Sequence, residues 1–168
     1  VVPLTSPPNV VQVWTQTTNR VLGQQVGSLT PSLWKEGHEA IMWWLANAHS
    51  KESIQWPLKL LNRMWEEEQW IYQQQQQQQK VPEFFDTELL NLIINHWRKV
   101  ISEDTNMRKQ ELDLHPQSLF DTFLSFHQQV PSIQAMERLE PGQIPDPNTR
   151  LRPNVQTFSM LIDGAASF

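Results

Sequence analysis

Apolar residues recur along this chain at helical spacing and almost nowhere alternate in the manner of a strand, so the pattern predicts an all-α fold. Over residues 9–26, Val10, Val13, Trp14, Thr17, Val21 and Leu22 share one face, with Asn9 as cap and Gly27 as the stop. A second helix is expected over 31–49, with Pro31 at a favoured first position and Ile41, Met42, Trp44, Leu45 and Ala48 along it. A third, over 53–72, sets Ile54, Leu58, Leu61, Met64 and Trp65 inward. Lys59, Asn62, Arg63, Glu66 and Glu67 then face outward, and Pro57 belongs in or just before the first turn.

Seven consecutive glutamines at 73–79 carry nothing to bury and read as a solvated helix extension or a loop within a low-complexity linker, 73–85. The next helix, over 86–101, turns Leu89, Leu90, Ile93, Ile94, Trp97 and Ile101 inward and leaves Asn91, Asn95, Arg98 and Lys99 to the other faces. His115-Pro116 opens a helix to about 129 that Leu119, Phe120, Phe123, Leu124 and Phe126 nearly ring, and a short helix follows at 132–139. Residues 140–152, with Pro141, Gly142, Pro145 and Pro147, form a loop. The expected organisation is a linker at 1–8, a helical hairpin region at 9–72, the glutamine-rich linker, a helical pair with an inserted loop at 86–139, a Pro-rich loop at 140–152 and a last helix at 153–168.

That last helix is the most telling segment. Val155, Phe158, Leu161 and Ile162 make its apolar face, and it is too short to stand without a neighbour. It reads as the opening of a helical repeat whose second half is missing, which makes the chain look like an excerpt of a longer protein. Pro153, Asn154, Val155, Thr157, Phe158, Ser159, Leu161, Ile162 and Asp163 together resemble the start of a pentatricopeptide repeat, a two-helix unit of roughly 35 residues. The string from Asn91 to Trp97 repeats its logic, and 43–49 echoes it more weakly. Asn47, Asn95 and Asp163 align at spacings of 48 and 68 residues, so the array is irregular, with the excess in the glutamine tract and in 103–113 and 140–152.

Composition narrows the chemistry. Twelve prolines, five glycines and one tyrosine leave little room for a sheet, and the absence of cysteine removes disulfide scaffolds, thiolate nucleophiles and Cys-ligated zinc. No apolar run is long enough to span a membrane. His38-Glu39 opens like a zinc-protease helix, but Met42 stands where the second histidine belongs. His49 and His96 are expected near helix ends, where the dipole favours a cation. The clusters Glu66–Glu68 and Glu103-Asp104 read as solvated helix ends, and no nucleophile elbow, P-loop or dinucleotide fingerprint occurs, so no enzyme, cofactor or metal is expected. Seven of the eight tryptophans lie within the first 70 residues at helical spacing, which favours core packing over base stacking, and Trp43 and Trp44 cannot both face inward.

The resemblance implies a right-handed solenoid of helix pairs that binds single-stranded RNA, one nucleotide per repeat, in mitochondria or plastids, and acts on the processing, stability or translation of organelle transcripts. It also implies base readout by Asn91 with Asn154 in one unit and by Ser159 in the next, two asparagines signifying a pyrimidine. The alternative is a helical-repeat scaffold that binds other proteins. A net charge of −5 argues mildly against nucleic acid, although Arg98, Lys99, Arg108 and Lys109 form a local basic stretch.

Overall fold

The computed structural model describes residues 8–73, 81–103, 116–119, 121–122 and 153–166. These contain five helices and no strand: α1 (Pro8–Leu22), α2 (Pro31–Asn47), α3 (Glu52–Gln73), α4 (Thr87–Glu103) and α5 (Val155–Ala165), with helical turns at 116–119 and 121–122. The fold is all-α. The glutamine tract beyond residue 73, the rest of the helix expected to run to 129, the one expected at 132–139 and the loop at 140–152 lie outside the described residues.

The chain forms two compact units, Val1–Trp70 and Ile71–Phe168. In the first, α1 packs on α2 around Val21, Trp34, Ile41 and Trp44. Asn9 lies inside α1 rather than ahead of it, and the helix ends at Leu22, where Gly23 N–H still donates to Asn19 O at 2.8 Å. Gly27 therefore sits beyond the helix, in the turn, with φ +94°. The buried arc of α1 is Thr17, Thr18 and Val21, while Val13, expected inside, is 54 % exposed. Thr18 tolerates complete burial because its hydroxyl donates to Trp14 O at 2.7 Å and accepts from Trp44 Nε1 at 3.1 Å. Met42 on α2 is exposed. Trp44 is buried, and Trp43 stacks on Trp14 with centroids 5.7 Å apart.

α3 departs from its expected amphipathic split. Ile54, Leu61 and Met64 are buried with Leu60, but so are Arg63 and Glu67, which the pattern assigns to solvent. Arg63 Nη1 lies 3.0 Å from Glu67 Oε2, and Arg63 also donates to Gln24 O and Gln25 O. Glu67 in turn accepts from the N–H groups of Gly27 and Leu29, at 2.6 and 2.9 Å. The pair thus satisfies four backbone groups of the turn between α1 and α2, which is why two charges one helical turn apart face inward. Pro57 is the sixth residue of α3, past the first turn where its missing N–H would be free of consequence.

In the second unit Asp86 caps α4, its Oδ1 accepting from Leu89 N–H at 3.1 Å. Leu89, Leu90, Ile93, Ile94, Trp97 and Ile101 are all buried, as their spacing requires. α5 packs on α4, but through Thr157, Met160, Leu161 and Gly164, a face rotated from the expected one. Val155 and Ile162 are 84 % and 72 % exposed. Gly164 suits this face: a Cβ there would stand 2.2 Å from Trp97, so glycine lets the helix approach the indole closely.

Candidate functional site

A groove of about 860 Å³ runs between α4 and α5, lined by Thr87, Glu88, Asn91, Leu92, Asn95 and Arg98 from α4 and by Asn154, Gln156, Ser159, Met160 and Asp163 from the α5 side. All three residues singled out from the sequence line it. Asn91 and Asn154, 63 residues apart in the chain, meet with Asn91 Nδ2 3.4 Å from Asn154 Oδ1, and Ser159 is exposed one turn farther along α5.

Local structure explains the meeting. Asn154 is the N-cap of α5: its Oδ1 accepts from Thr157 N–H at 3.0 Å, and Thr157 Oγ1 accepts from Asn154 N–H at 3.0 Å, a reciprocal capping box. The hydroxyl proton of Thr157 then points to Asn91 Oδ1, 2.5 Å away. Thr157 is completely buried and Asn91 is 8 % exposed. Asn91 is therefore not on a solvent face, and the buried amide is admitted only because it is hydrogen-bonded from across the helix pair.

Farther along the groove Arg98 links two of the three positions that the sequence echo aligned. Its Nη2 donates to Asn95 Oδ1 at 2.6 Å and its Nη1 to Asp163 Oδ2 at 3.1 Å. Glu88 and Asp163 line the groove together with this arginine, so the lining does not present a basic surface. Of the rest of the basic stretch, Lys99 is exposed away from the lining, and Arg108 and Lys109 lie outside the described residues.

The sequence marks Asn91, Asn154 and Ser159 as parts of this site but not Thr157 or Asp163. The cap-to-third-residue spacing Asn154–Thr157 was a legible signal for Thr157. Asp163 lines the groove beside Arg98, to which it is ion-paired. The histidines take other places: His96 is buried in the middle of α4, so a helix-end role does not apply to it, and His49 lies just beyond the end of α2. Among the described residues no group of three or more His, Cys, Asp or Glu is arranged to hold a metal ion, and no helix is long and apolar enough to cross a membrane. No family model, curated protein or solved structure matches this chain.

Proposed function

We propose that this chain is a segment of a helical-repeat solenoid resembling the pentatricopeptide repeat proteins, and that it holds one unpaired nucleotide of a single-stranded RNA in the groove between α4 and α5. The observation that carries the reading is the meeting of Asn91 with Asn154 in a groove that Ser159 also lines. Short amides on a rigid helix pair reach the edge of an unstacked base where longer side chains would fill the space. The weak charge of the groove agrees with recognition by hydrogen bonds more than by phosphate attraction. By the same resemblance the RNA is an organelle transcript.

Selection of binders from a randomised single-stranded RNA pool, followed by affinity measurements on RNAs varied one base at a time, tests the reading. Asn91→Ala should lower affinity and relax preference at one base position, leaving the others unchanged. A chain that retains no RNA, or an Asn91→Ala variant with unaltered affinity and preference, overturns it. The second reading, a scaffold that binds other proteins, is favoured by the outward Val155 and Ile162 of α5.

A further inference from the structure

The donor and acceptor chemistry around Thr157 fixes which way both asparagine amides point. Thr157 N–H can only donate, so the Asn154 atom 3.0 Å from it is the oxygen. The Thr157 hydroxyl already accepts from Asn154 N–H, and it has one proton to give. Asn91 lies 2.5 Å from that hydroxyl and Asn154 Oδ1 lies 3.1 Å from it, so the proton belongs to Asn91. An amide nitrogen at the shorter distance would be closer than N–H···O bonds run. Turning the Asn91 amide over would also set two carbonyl oxygens 3.4 Å apart with no proton between them.

Both oxygens are thereby drawn toward Thr157, which is completely buried and does not line the groove, so the nitrogen of each carboxamide, on its other arm, is turned away from Thr157 in two residues that do line it. Asn91 Nδ2 gives one proton to Asn154 Oδ1 through a long bond and keeps the other, whereas Asn154 Nδ2 donates to no atom of the described residues, which leaves both its protons for a ligand. Resting on the RNA reading of this groove, we infer that Thr157 is a positioning residue that makes the Asn91–Asn154 pair a donor-only reader, so that the unpaired base it takes is one presenting two adjacent acceptors. On the Watson–Crick edge that base is cytosine, through N3 and O2. Uracil interrupts its two carbonyls with an N–H, and adenine and guanine each place a donor beside their acceptor there. A donor facing a donor leaves both unpaired and disfavours the wrong base.

Two measurements on the full chain decide this. A neutron structure of the deuterated protein should show deuterium on the Asn91 and Asn154 atoms turned away from Thr157 and none on the Asn91 atom facing Thr157 Oγ1. Deuterium on that inner atom overturns the inference whatever the protein binds. Affinities for four RNAs differing only at the selected position should favour cytosine over uracil in the wild type. Thr157→Val keeps the side-chain shape and removes the hydroxyl, and it should lower that preference about tenfold, while Thr157→Ser retains it. An equal loss of affinity for all four RNAs in Thr157→Val, or an unchanged preference, marks a structural role alone and overturns the inference. A wild-type chain that retains no RNA while its deuterium pattern is the expected one removes the RNA reading and leaves the donor-only pair supported.

Discussion

Gly164 of α5 rests directly on the Trp97 indole of α4, so close that a Cβ built at 164 would stand 2.2 and 2.4 Å from two ring carbons. In an isolated helix, exchanging glycine for alanine gains up to about 1 kcal/mol. Here the added methyl meets a rigid ring that is itself 1 % exposed and has nowhere to go. Gly164→Ala should therefore destabilise the chain, by about 1–3 kcal/mol of overpacking less that gain, as read from urea unfolding. Trp97→Leu combined with Gly164→Ala should show a favourable coupling, because the smaller side chain vacates the space the methyl enters. Additive effects would show that α5 does not depend on this contact.

Gly27 offers a contrast. Its Cβ would lie 2.7 Å from Trp70, and its φ of +94° is strained for any residue with a side chain. Gly27→Ala should cost about 1–2 kcal/mol from the backbone alone. Shortening Trp70 relieves the clash but not the dihedral, so the double variant Gly27→Ala, Trp70→Leu should recover only part of the stability lost in Gly27→Ala. Full recovery in thermal unfolding would reduce the strain at Gly27 to crowding.

The Arg63–Glu67 pair differs from a buried ion pair that apolar residues replace without loss. Removing one partner, as in Glu67→Ala, leaves a buried guanidinium unpaired and two N–H groups of the turn without their acceptor, and should cost about 3–5 kcal/mol. Buried pairs elsewhere are often restored by substituting both members with hydrophobic residues. Arg63→Met with Glu67→Leu should not restore this one, because Gln24 O, Gln25 O, Gly27 N–H and Leu29 N–H would all lose their partners. Denaturant unfolding of the single and double variants checks it, and a double variant as stable as the wild type would refute the clamp.

Thr18 joins two helices through one hydroxyl. Thr18→Val keeps the volume and leaves the Trp44 indole N–H without its acceptor in a dry site, which should cost about 1–3 kcal/mol. Pairing it with Trp44→Phe, which has no N–H, should make the second substitution cost less than it does alone. A double-mutant cycle in urea reads this coupling directly, and a coupling of zero would count against the bond.

The helical class and several inward faces follow from the residue pattern alone. The period of Leu89, Leu90, Ile93, Ile94, Trp97 and Ile101 admits one arrangement, and Thr30-Pro31 and Asn154 mark helix starts by local chemistry alone. The resemblance placed Asn91, Asn154 and Ser159 on the page as candidates, and the capping spacing to Thr157 was there to be read. That Asn91 and Asn154 meet is fixed by the packing of α5 on α4, because nothing in a 63-residue separation says which chain segments return to each other. The same packing fixes which side of α5 is inward, since Val155 and Ile162 are as apolar as Met160 and Leu161, and the inward side is the one where a glycine meets an indole. The burial of Arg63 and Glu67 lies in the same class. A period of polar residues marks a solvent face, and it is reversed only when a distant turn supplies the hydrogen-bonding groups that make burying charge tolerable.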